Sequence, residues 1–176
     1  MTELTVERVV LTFDPSVDPL QYESGGACIA GWPSGSKVVD VVANEAPPPP
    51  QVTWLIEVRD FRVITNPPRS TNLGGLAATV EQKVRQTLAA LPVVVADSPD
   101  PAHRDHAARA SAAARRRVVL HLEPHPTNGA HAALFGVGYA ANVLLQLRAL
   151  ISDIDPNPLV LSIARTPSAK VPWTAA

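Results

Sequence analysis

Two short apolar runs with acids set into them constrain this chain most. The first is Lys37-Val38-Val39-Asp40-Val41-Val42-Ala43, and the second is Val52-Thr53-Trp54-Leu55-Ile56-Glu57-Val58-Arg59-Asp60. Between them stand Asn44-Glu45-Ala46 and four prolines, Pro47 to Pro50. β-Branched and aromatic residues bounded by a proline-rich break predict two strands and a connection. Folded as an antiparallel hairpin about the prolines, the runs put Asp40 opposite Glu57. Arg59, two residues on, then shares the face of Glu57. Two carboxylates side by side in apolar strands are costly unless a cation or a proton shares them. A divalent metal is the usual cation where a site handles phosphate. The other solution is that both acids sit at solvated strand ends, paired with Lys37 and Arg59.

The rest of the chain supplies a sheet for that hairpin. At 176 residues, 46% of them hydrophobic, it suits one domain over 1–176 with a real core. Val6 to Phe13 predicts a first strand, and the Asp-Pro pairs of Asp14 to Pro19 predict a turn. Leu20 to Trp32 reads as a short polar segment leading into a strand or bend, and Pro33 to Ser36 as a tight turn. After a loop over Thr65 to Asn72 comes the clearest helix, Leu73 to Leu91. Its apolar positions Leu76, Val80, Val84, Leu88 and Leu91 recur every three or four residues, and Pro92 is expected to stop it. Asp97 to Arg117, rich in alanine and arginine, predicts a surface helix without an apolar stripe. Val118 to Leu122 predicts a strand, Pro124 to Asn128 a turn, Ala132 to Ile154 a second long helix and Leu159 to Ile163 a last strand. The tail from Arg165 reads as an irregular cap in which Trp173 packs. Strands, helix, strand, helix, strand is the order of an α/β domain with a mixed β-sheet flanked by helices.

Charge and cysteine usage narrow the partners. A net charge of −1 argues against a dedicated nucleic-acid clamp. Acids dominate the first third and basic residues the middle, which suits either an acidic metal pocket beside a phosphate-tracking face or an ordinary solvated surface. The single Cys28 forms no internal disulfide, and a cytoplasmic setting is the simplest expectation. The start of the chain lacks a signal-peptide pattern, and no apolar run approaches membrane-spanning length.

The hairpin resembles the signature of the PD-(D/E)XK nuclease superfamily: an acid on one strand, then an acid-x-lysine triplet on the next. Asp40 matches the first acid, and Glu57-Val58-Arg59 matches the triplet with arginine in place of lysine. The resemblance is carried by residues 20 to 95. It implies a restriction-endonuclease-like fold and a deoxyribonuclease dependent on Mg²⁺ or Mn²⁺, with DNA as a more natural substrate than RNA. It also implies a homodimer or a partner protein to select that substrate. Asp40, Glu57 and the backbone carbonyl of Val58 are the implied metal ligands. The metal would polarise the phosphate and lower the pKa of the attacking water. Arg59 keeps the lysine's charge and binds phosphate, but it cannot serve as a base.

Lys83, on the following helix, is expected to substitute for the missing lysine, with Gln82 beside it toward the substrate. Both are read as facing away from the apolar stripe. Glu23 is a candidate for the additional acid that the superfamily often carries upstream. The Arg115-Arg116-Arg117 run either contacts phosphates or ends a solvated helix. His121, His125 and His131, with Glu123 among them, lack the close pairing of a zinc site. His103 and His106 are expected to be solvated. The competing reading is a degenerate nuclease fold that binds or scaffolds without cleaving.

Overall fold

The computed structural model describes residues 1–24, 27–46, 51–62, 73–124 and 138–176. The proline connection 47–50, Gly25-Gly26, the loop expected over 65–72, His125, His131, the turn expected after Pro124 and the start of the second long helix lie outside them. In chain order the elements are β1 (Thr2–Val6), β2 (Val9–Phe13), β3 (Val17–Gln21), β4 (Glu23–Ser24), β5 (Ala27–Cys28), β6 (Val41–Glu45) and β7 (Val52–Asp60). Then follow α1 (Leu73–Asp97), α2 (Pro101–Ala112), β8 (Arg115–Glu123), α3 (Tyr139–Ile151), β9 (Leu159–Leu161) and β10 (Trp173–Ala175).

The architecture is mixed α/β. A five-stranded sheet runs β3-β6-β7-β8-β9, and a three-stranded sheet runs β1-β2-β10. The β3–β6 and β6–β7 pairs are antiparallel, whereas β7–β8 and β8–β9 are parallel. Parallel pairing needs a crossover, which α1 and α2 supply between β7 and β8, and α3 between β8 and β9. Alternation along the strands separates two cores. Val42, Leu55, Val118 and Leu120 pack with the helices. Val41, Trp54, Ile56 and Val119 pack with Leu11, Phe13 and Trp173 of the smaller sheet. β7 is thus covered on both faces, which is why it reads as a nearly unbroken apolar run and why an acid within it is unusual.

Several expectations are corrected. Val6–Phe13 is not one strand: Glu7, at φ 55°, turns the chain between β1 and β2. Asp18 and Pro19 lie in β3, at the sheet edge where a missing N–H is tolerated. Residues 37–40 lie outside the strand, which starts at Val41; Val39 N–H instead donates to Thr87 Oγ1 on α1 at 3.0 Å. Pro92 does not end α1, which continues to Asp97 because Leu91 and Val94 are buried in the helix-side core. Burial there outweighs the hydrogen bond that proline removes. The predicted surface helix ends at Ala112, and Arg115–Arg117 begin β8. The tail is a strand, β10, paired with β2. Among the described residues, no helix is long and apolar enough to cross a membrane.

Candidate active site

The β6–β7 register fixes the two acids. Val41 pairs with Ile56 and Val42 with Leu55, so one step before the ladder Asp40 stands opposite Glu57, as the hairpin reading requires. With the ladder finished, Val58 N–H has no partner strand on that side among the described residues. It donates to Asp40 Oδ2 at 2.7 Å, which fixes the Asp40 carboxylate against β7. The Asp40 carbonyl in turn accepts from Tyr22 N–H at 2.8 Å, tying the start of β6 to the segment that carries Glu23.

Three carboxylates converge on one ammonium. Lys83 Nζ lies 2.9 Å from Glu57 Oε1, 3.0 Å from Glu23 Oε2 and 3.7 Å from Asp40 Oδ1. Lys83 is therefore not on the outward face of α1. It lies beside Val80, Val84 and Thr87, three or four residues apart, on the buried side, and is 6% exposed. Arg59 approaches from the other side: its guanidinium contacts Glu57 Oε1 and reaches Glu7 Oε1 at 3.4 Å.

Burial pushes the Glu57 carboxyl up, and the neighbouring Asp40 charge adds to it; Arg59 and Lys83 offset only part, leaving it at about 8. Asp40 is also raised, chiefly by burial. Burial alone would lower Lys83, but Glu57 and Asp40 outweigh it and hold the amine above its ordinary value. The site thus balances its charge with a lysine, an arginine and a proton on Glu57 near neutral pH.

A divalent ion fits these residues in a limited way. Glu57 is fully buried, and among the described residues its Oε2 has no hydrogen-bond partner. Among the described residues, Asp40 Oδ1 is held only by the longer contact to Lys83. Those two oxygens suit Mg²⁺, which takes one or two carboxylates and fills its remaining positions with water and substrate. Among the described residues, no three His, Cys, Asp or Glu side chains form a ready cage for a metal. The Val58 carbonyl is already engaged by Arg59 Nη1 at 3.0 Å.

The other expected residues lie apart. Gln82 is exposed, and its Oε1 accepts from Lys37 Nζ at 3.0 Å. Arg115 pairs with Val52, five residues from Glu57, which is roughly 16 Å along the strand. Arg116 donates to Ser111 O at 3.2 Å. Arg117 contacts buried Asp155 and lies 5.4 Å from the centre of the Trp54 ring, on the sheet face opposite Glu57. The three arginines and the acid pair do not form one site.

His106, expected to be solvated, is buried. Its Nδ1 lies 3.1 Å from Tyr22 Oη, and its Nε2 lies 3.1 Å from Asp18 O and 3.2 Å from Asn44 Nδ2. Burial pushes its pKa well down, so this neutral ring ties α2 to the sheet. His121 Nε2 lies 2.8 Å from Glu123 Oε1, which also accepts from Ile163 N–H at 2.6 Å. That pair links β8 to the segment after β9. Cys28 is exposed, and burial and Glu23 raise its thiol pKa, so it is no activated nucleophile.

No known family model, curated protein or solved structure matches this chain.

Proposed function

We propose that the chain is a divalent-metal-dependent deoxyribonuclease with a restriction-endonuclease-like fold. The observation that carries this is the meeting of Asp40, Glu57 and Lys83 in one buried cluster, with Glu57 Oε2 unpartnered among the described residues. An acid pair opposed across a hairpin, with a lysine delivered from the next helix, supports the resemblance noted in the sequence.

Asp40 and Glu57 would hold Mg²⁺ or Mn²⁺, which supplies Lewis-acid polarisation of the phosphate and a more acidic water. The chain's own groups do the rest. The Val58 N–H holds Asp40 in place, and Arg59 does the same for Glu57. Lys83 keeps its proton at neutral pH, so it acts as a cation facing the charge that develops on phosphorus-bound oxygen and not as the base. Lys83, rather than Arg59, takes the role of the superfamily's lysine.

The test is incubation of plasmid and single-stranded DNA with and without Mn²⁺, comparing wild type with Glu57→Ala. Metal-dependent cleavage by the wild type alone is expected, and an inactive wild type refutes the nuclease. A second reading, a degenerate fold that binds without cleaving, draws on Lys83 and Arg59, whose cations already contact Glu57 without metal. It requires that Mn²⁺ leave the wild-type melting temperature unchanged.

A further inference from the structure

We infer that Glu23 is the anchor of the Lys83 ammonium and not a metal ligand. This rests on the metal site proposed above. Lys83 Nζ contacts three carboxylates, and two of them, Asp40 through Oδ1 and Glu57 through the Oε1 next to the unpartnered Oε2, belong to the acids a divalent ion would need. An ammonium and a divalent cation repel each other strongly at such range in a buried site. Both fit only if the ammonium withdraws from Asp40 and Glu57 and keeps a partner elsewhere.

Glu23 is placed to be that partner. It lies on β4, outside the β6–β7 hairpin, and accepts from Lys83 Nζ at 3.0 Å. Its own position is set by the backbone, because Glu23 N–H points at the Asp40 carbonyl at 3.4 Å and Glu23 pairs with Cys28 across β4–β5. Its side chain is 29% exposed, so it holds its charge more cheaply than Glu57, which is fully buried. A lysine drawn toward Glu23 stays beside the metal. A lysine without Glu23 falls back on Asp40 and Glu57 and competes with it.

The two roles for Glu23 separate in a double-mutant cycle on Mn²⁺ affinity, measured by calorimetry without substrate. Four full-length proteins are compared: wild type, Glu23→Gln, Lys83→Met and the double variant, each checked for folding by circular dichroism. Lys83→Gln replaces Lys83→Met if that protein misfolds. An anchor predicts that Glu23→Gln weakens Mn²⁺ about three- to tenfold in the wild type and changes it less than twofold without Lys83. Glu23→Asp should recover part of the loss. Equal weakening in both backgrounds makes Glu23 a ligand and overturns the inference while leaving the metal site standing. No effect in the wild type makes Glu23 a bystander and overturns it equally. Only a wild type that binds no Mn²⁺ removes both this inference and the metal site together.

Discussion

Glu57→Gln should stabilise the metal-free protein in alkaline solution. Glu57 carries a folded pKa of about 8 against an ordinary glutamate value of 4.5, raised first by burial and then by Asp40. Between those values the folded carboxyl keeps a proton that the unfolded chain has lost. The folded state therefore binds more protons, and stability falls as pH rises, by about 1.4 kcal/mol per unit for one group.

The histidines act the other way. Burial lowers the folded pKa of His106 and of His121, so stability rises with pH as the unfolded imidazoles deprotonate, a rise that tapers off about one unit above their ordinary pKa of about 6.5. The histidine contributions are common to wild type and variant and cancel in the difference, so between about pH 6.5 and 8 Glu57 should remove about 1.5 kcal/mol from the wild type relative to Glu57→Gln. For a chain of this size that is about 3–6 °C in melting temperature. Glutamine has the shape of the protonated acid, so the variant should lack this slope. Urea melts at half-unit pH steps measure the difference curve. Parallel curves for the two proteins would show that Glu57 is ionised and fully satisfied by Lys83 and Arg59, and the argument from burial would fail.

Millimolar Mn²⁺ should stabilise the wild type by about 2.7 kcal/mol at a hundredfold excess over the dissociation constant and so raise its melting temperature, and Asp40→Asn should blunt that shift in a thermal scan. If Arg59 orients Glu57, Arg59→Ala should slow cleavage at least tenfold with the far-ultraviolet spectrum unchanged, while Arg59→Lys retains activity; equal rates in all three proteins would make Arg59 a bystander. Pro92→Ala should stabilise the protein by about 1–2 kcal/mol in denaturant melts, because the exposed proline sits inside a continuous helix.

The sequence by itself determined what depends on local period. Strand alternation and one hairpin were enough to set Asp40 opposite Glu57, since a two-residue repeat leaves each side chain only two faces. The same logic put Arg59 beside Glu57 and made Val80, Val84 and Leu91 the buried stripe of α1. Lys83 was within reach of that logic as well. It falls three residues after Val80 and four before Thr87, and only its charge argued that it faces outward. Arg115–Arg117 likewise lead straight into the apolar run of β8, yet arginine beside alanine favoured a helix.

Tertiary structure decided what no local pattern encodes. Burial of Lys83 follows from three acids on separate elements, 60, 43 and 26 residues away in sequence, that no helical period could announce. His106 is interior because Tyr22 and Asn44, 84 and 62 residues away, close over it. Pro92 stays helical because Leu91 and Val94 have a core to enter, and Trp173 joins a strand because β2 offers it an edge. Local sequence fixes which way a side chain points along its own element. The charge and solvent it meets there are set by the elements packed opposite, and those decide whether an acid is solvated, protonated or poised to bind a metal.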